Sequence, residues 1–112
     1  MLEELLSGLY HRPALIFNSG YHANTGMVSA IAQSAKTLIV ADRLVHASII
    51  DGMTLSKSPF TRFRHNDLTH LRRILEKEAS CYEQVLVIVE SVYSMDGDRA
   101  DIDGLAEIKR AH

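Results

Sequence analysis

The chain has 112 residues, 46% of them hydrophobic and 23% charged, with a formal net charge of −2; this is one modest domain of ordinary globular composition, with no electrostatic hold on nucleic acid or an anionic membrane. The single cysteine, Cys81, excludes an internal disulfide and a multi-cysteine zinc site and fits a reducing compartment. No apolar stretch approaches the roughly 20 residues that span a bilayer, and Met1-Leu2-Glu3-Glu4 carries acids where a secretory signal has basic residues, so no membrane role and a cytoplasmic location are expected.

A helix opens the order of elements. Ala14-Leu15-Ile16-Phe17 is a short apolar run that predicts a strand, stopping at a turn with Gly20. From Gly20 to about Gln33, Ala23, Met27 and Ala30 recur at helical spacing with Ile31 beside them, giving an apolar face of mostly small residues that permits close packing. Leu38 to Ala41 predicts a second strand, and His46 to about Leu55 a helix with Ile49, Ile50 and Met53 on one side. Phe60-Thr61-Arg62-Phe63-Arg64 reads as a short extended piece at a sheet edge. Asn66 or Asp67 then caps a helix in which Leu68, Leu71 and Leu75 follow the 3.6-residue period while Arg72, Arg73, Glu76 and Lys77 take the wetter side. Val85 to Val89 predicts a third strand, and Asp103 caps a last helix bearing Leu105 and Ile108.

Continuous rather than alternating apolar runs mark strands covered on both faces, as in a parallel sheet. The expected fold class is therefore α/β, a parallel or mostly parallel sheet with flanking helices, in a single domain over residues 1–112 without repeats or an internal linker. Ligands in such sheets gather at the carboxyl ends of strands, where three candidate segments begin: Phe17 to Asn24, Ala41 to Gly52, and Glu90 to Asp98. A helix beginning at Gly20 offers unpaired N–H groups to a phosphate, and a glycine there lets the backbone approach it. The residues alone leave plainer readings open: a structural turn at Gly20, packing for Tyr21, a helix-start histidine at His46, a turn serine at Ser94. The six histidines form no metal set, and the Asp96-Gly97-Asp98 segment lacks the ligand ladder of a calcium loop.

Taken together, Ser19-Gly20-Tyr21-His22-Ala23-Asn24, Asp42-Arg43-Leu44-Val45-His46-Ala47-Ser48-Ile49-Ile50-Asp51-Gly52, Arg64-His65-Asn66-Asp67 and Tyr93-Ser94-Met95-Asp96-Gly97-Asp98 resemble the α-oxoamine synthases, a family of pyridoxal-phosphate enzymes. The resemblance runs over nearly the full chain and in the family's order. It implies the central part of the large domain of a fold-type-I, aminotransferase-like enzyme. In the family an acid facing the cofactor's pyridine nitrogen and a cofactor-binding lysine come later; none of Lys36, Lys57, Lys77 and Lys109 matches that lysine's motif, so these residues alone are expected to be inactive.

By the same resemblance, Gly20 and Tyr21 stand at the phosphate of pyridoxal 5'-phosphate, His46 stacks on its ring and serves catalysis, and Ser94 donates to its phenolic oxygen. Val45 and Ser91 depart from the family's usual small polar residue and glycine. The implied reaction joins an amino acid, L-alanine in the biotin-pathway branch, to an acyl-CoA such as pimeloyl-CoA with loss of carbon dioxide. Branches that use glycine or serine are the related alternatives, and a non-catalytic phosphate-ligand or assembly module is the rival class. A homodimer is implied as well.

Overall fold

A computed structural model describes all of residues 1–112. In chain order the elements are α1 (Leu2–Tyr10), α2 (Gly20–Ile31), β1 (Thr37–Asp42), α3 (Ala47–Ser56), β2 (Phe60–Phe63), α4 (Leu68–Glu78), β3 (Gln84–Ile88) and α5 (Ile102–Ala111), with a short 3₁₀ turn at Ala79–Cys81. The three strands are parallel in the order β2-β1-β3, with Val40 opposite Thr61 on one side and Val87 on the other. β2 is thus the edge strand that the mixed aromatic and basic segment predicts.

All six residues of β1 are buried, because both its edges are paired and both its faces are covered. Ile39 and Ala41 pack with Val28 and Ala32 at the end of α2, Ile49 and Met53 of α3, and Tyr93. Leu38 and Val40 point the other way, onto Phe63, Leu71 and Leu75 of α4, and Ile108 of α5. This alternation explains why the strand carries no polar residue between Thr37 and Asp42. On the first face a glycine sets the spacing: a Cβ on Gly52 of α3 would lie 2.9 Å from Val28 Cβ and 3.2 Å from both Asn24 O and Thr25 Cα of α2.

The chain leaves β1 through α3 on one face to reach β2, then crosses back through α4 on the other face to β3. The crossover from β2 to β3 passes β1, so the loops after β1 and β3 lie side by side at the carboxyl ends of neighbouring strands, where ligands of such sheets gather. No helix is long and apolar enough to cross a membrane.

Three expectations are corrected. The apolar face expected for α2 is exposed at Met27, Ala30 and Ile31, and the helix packs through Asn24, Thr25 and Val28, because that is the side turned to Gly52 of α3. Ala14 to Phe17 is not a strand but an irregular segment with Leu15 79% exposed. Side chains of α1 hold this segment outside the sheet: Ala14 N–H donates to Ser7 Oγ at 3.0 Å and Ile16 N–H to Glu3 Oε1 at 2.8 Å. At α5 the cap is Asp101, whose side chain accepts from Gly104 N–H at 3.0 Å; Asp103 falls inside the first turn, where its charge faces the positive end of the helix. Asp67, by contrast, caps α4 as expected, accepting from His70 N–H at 2.8 Å.

Candidate functional site

The helix start at α2 is built by Ser19. Its extended backbone (φ −157°) presents Oγ to His22 N–H at 3.2 Å, and its carbonyl accepts from Ala23 N–H at 3.0 Å. That leaves the N–H groups of Gly20 and Tyr21 without an acceptor in the chain, at the positive end of a 12-residue helix. Nothing lies within 4 Å of where a Cβ on Gly20 would stand, so packing does not require this glycine and its outer side is open. Tyr21 does not pack as a core aromatic; its phenol donates to Asp51 Oδ2 of α3, a bond that raises its pKa.

His46 is the N-cap of α3. Its Nδ1 accepts from Ser48 N–H at 3.2 Å and faces Ser48 Oγ at 2.7 Å. Ser48 is wholly buried, and its Oγ also accepts from Asn24 Nδ2 of α2 at 3.0 Å. The hydroxyl oxygen accepts from Asn24 Nδ2, and its own O–H donates to Nδ1. This chain of donors assigns the His46 proton to Nε2 and fixes the ring plane, leaving the Nε2–H edge and the exposed ring face for another molecule. The backbone N–H of His46 donates to Glu90 Oε2 at 2.7 Å, joining the turn after β1 to the end of β3. Val45, where the family usually has a small polar residue, is buried among Ile49, Met53 and Tyr93.

After β3, residues 91–99 form a small hairpin. Val92 and Arg99 make an antiparallel bridge, Tyr93 N–H donates to Asp98 O at 3.0 Å, and Gly97 N–H donates to Tyr93 O at 2.8 Å. Gly97 takes the positive φ (68°) that the Asp-Gly turn demands. Ser94 sits on this hairpin, exposed and with no hydrogen bond to the rest of the chain, while Tyr93 beside it is wholly buried and anchors the hairpin in the core.

Gly20 and Tyr21 thus occupy a helix N-terminus, His46 the turn after β1, and Ser94 the loop after β3, on elements that α2–α3 packing and the His46–Glu90 bond link together. The residues that orient His46 went unrecognised. Ser48 two positions beyond a capping histidine is a local hydrogen-bonding pattern that the sequence offered, whereas the Asn24 and Asp51 contacts join residues 24 and 30 positions apart.

A parallel, doubly wound sheet with polar loops gathered at its carboxyl ends defines an α/β protein of the fold-type-I kind. Among solved structures, "SPT with PLP internal aldimine" superposes with a TM-score of 0.86 at 33% identity, covering 99% of this chain and 28% of that one. The 8-amino-7-oxononanoate synthase of Francisella tularensis gives a TM-score of 0.77 at 32% identity, covering 95% of this chain and 30% of that one. A relative from Pasteurella multocida (strain Pm70), provisionally named 8-amino-7-oxononanoate synthase, is 52% identical over 112 residues, 99% of this chain. The chain spans only 29% of that relative's length. The family model for aminotransferase class I and II matches residues 1–112, and the chain belongs to that family.

Proposed function

We propose that these residues are part of the large domain of a pyridoxal-phosphate-dependent α-oxoamine synthase, and specifically of an 8-amino-7-oxononanoate synthase. The whole protein would join L-alanine to a pimeloyl thioester with loss of carbon dioxide, in biotin synthesis, as a cytoplasmic homodimer. The observation that carries the reading is the Asn24–Ser48–His46 chain, which holds one face of an exposed imidazole fixed on the helix beside an N-terminus with two free N–H groups.

The residues fit the cofactor. The unpaired Gly20 and Tyr21 N–H groups suit its phosphate, and the open side of Gly20 admits it. The flat His46 ring suits stacking on the pyridine, and the Nε2–H edge suits a substrate carboxylate or carbonyl. The Ser94 hydroxyl, with no partner in the chain, is available to the phenolic oxygen. When bound, the cofactor supplies an electron sink for the carbanion left when a bond to the amino acid's α-carbon breaks. His46 restrains the ring by its own rigidity, because a fixed tautomer and a capped helix end leave it little freedom.

None of the four lysines is placed to bind that cofactor. Lys36 precedes β1 and pairs with Glu83, Lys57 follows α3, and Lys77 and Lys109 lie in the last turns of α4 and α5. Those are the ends of helices that start at the carboxyl side of the sheet and run away from it. Residues 1–112 by themselves are therefore expected to show no synthase turnover.

The test is His46→Ala in the whole protein. Turnover should fall severely while phosphate anchoring persists; a variant with undiminished turnover would overturn the assignment. A glycine-using synthase is the alternative within the family and is separated by turnover with glycine against alanine. A phosphate-binding module without chemistry would account for Gly20 but gives no role to the buried chain that orients His46. Such a module would lack the visible, borohydride-sensitive absorbance of a lysine-bound pyridoxal enzyme.

A further inference from the structure

Beside the carboxyl end of β1 lies a polar cluster that the reading above leaves unused. Asp42, wholly buried, accepts from Leu44 N–H at 2.8 Å through Oδ1 and from Asn66 N–H at 2.9 Å through Oδ2. His65, just past β2, places Nδ1 2.9 Å from Asp42 Oδ1 and Nε2 2.6 Å from Asp98 Oδ2. Asn66, held at φ 52°, turns its Nδ2 to Asp98 Oδ2 at 2.9 Å and to Arg99 O at 3.2 Å. Both ring nitrogens of His65 face carboxylate oxygens, which only accept, so both carry protons and no lone pair is left for a metal ion.

We propose that His65 is a positioning residue: its imidazolium, clasped between Asp42 and Asp98, holds the Ser94 hairpin and the turn leading to His46 in one register. The proposal rests on the cofactor reading for what Ser94 and His46 do, though not for the clamp itself. Asp98 belongs to the hairpin and Asp42 opens the turn by binding Leu44 N–H, so one cation joins the two loops at the ends of neighbouring strands.

Two buried polar atoms in the hairpin, Tyr93 OH and Asp98 Oδ1, have no partner. The hairpin is thus seated against an opposing cost, which the bonds from His65 and Asn66 to Asp98 Oδ2 offset. The His65 ring also meets Tyr93 edge-on, centroids 4.5 Å apart.

The groups facing His65 are Asp42 from β1 and Asp98, Asp96 and Tyr93 from the hairpin, with the Arg64–Asp67 ion pair on its own loop. Carboxylates therefore dominate its surroundings. The hydrogen bond to Asp42 raises the His65 pKa most, partial burial opposes it, and Asp98 adds to the rise. As pH climbs through that raised value the ring loses a proton, one carboxylate loses one of its donors, and the hold on the hairpin weakens.

Amide hydrogen exchange on the protein without cofactor tests the clamp, with intrinsic exchange rates corrected for pH. In the unaltered protein, protection of the Tyr93 and Gly97 amides should fall as pH rises past the histidine range. In His65→Ala it should be lower by about tenfold or more below the histidine range, the scale of a lost charge-assisted bond, with the difference shrinking above it, while Leu38 to Ala41 stay protected. Asp98→Asn keeps an acceptor for Nε2 and should hold the hairpin, with release moved to lower pH because one carboxylate is gone. Unchanged protection at Tyr93 and Gly97 in both variants would overturn the proposal, as would loosening spread equally through β1. So would a neutral His65 ring at pH 6 by nitrogen NMR, below the usual histidine value. If the clamp behaves as described and the whole protein takes up no pyridoxal phosphate, the cofactor reading fails and the clamp stands.

Discussion

Gly52→Ala adds one methyl group where α3 crosses α2. The new Cβ would stand 2.9 Å from Val28 Cβ and 3.2 Å from the Asn24 carbonyl oxygen and Thr25 Cα. None of these is the tip of a flexible side chain, so the helices must part by a few tenths of an ångström. Overpacking of this kind costs about 1–3 kcal/mol, and strain on the Asn24–Ser48 bond threatens roughly a further 1 kcal/mol. Against this, alanine is better than glycine inside a helix by about 1 kcal/mol. Packing wins, and the expected result is a net loss of about 1–3 kcal/mol, read as a lower urea midpoint at unchanged slope. Gly8→Ala in α1 is the control: nothing lies within 4 Å of its added methyl, so only the propensity gain of up to about 1 kcal/mol should appear. If Gly52→Ala were as stabilising as Gly8→Ala, the close approach of α2 and α3 could not be what demands a glycine there.

Ser48→Ala leaves the half-buried Asn24 Nδ2 without its partner and His46 Nδ1 with the residue-48 N–H alone, at a cost of about 1 kcal/mol. In the whole protein it should lower turnover more than pyridoxal-phosphate affinity; equal loss of both would argue against an orienting role. Asp101→Ala should cost α5 about 1 kcal/mol as a lost cap, and Asp103→Ala less, with only its dipole contribution removed; thermal unfolding of the two variants compares them directly, and the reverse ranking would contradict the capping geometry. Stability should also bend with pH on both sides. Burial alone would raise the Asp42 carboxyl, but the Leu44 and Asn66 N–H groups and His65 outweigh it and hold it below its usual 3.8, so its contribution is lost as pH falls through that lowered value. The His65 contribution is complete below its usual 6.5 and is lost as pH rises through its raised value. A urea midpoint that stays flat above the histidine range would refute the second limb.

Local pattern was enough for most elements. The apolar run Leu38–Ala41 lies in β1 and Val85–Ile88 in β3, which pair in parallel, because a continuous apolar run follows from burial alone. The face expected for α2 did not hold: Met27, Ala30 and Ile31 are exposed, and α3 meets Asn24, Thr25 and Val28 instead. Ala14–Phe17 has the same apolar character as the two strand runs but stays outside the sheet, held by Ser7 and Glu3 of α1. At the site, the motifs named Gly20, Tyr21, His46 and Ser94 by their chemistry and by the loops they occupy. What holds His46 in place, Ser48 and Asn24, and what holds the Ser94 hairpin, Asp42, His65 and Asp98, emerged only from the folded chain. A side chain's periodicity or capping role is written within a few residues of itself. A hydrogen bond between positions 42, 65 and 98 depends on which strands lie side by side, and that is settled by tertiary packing.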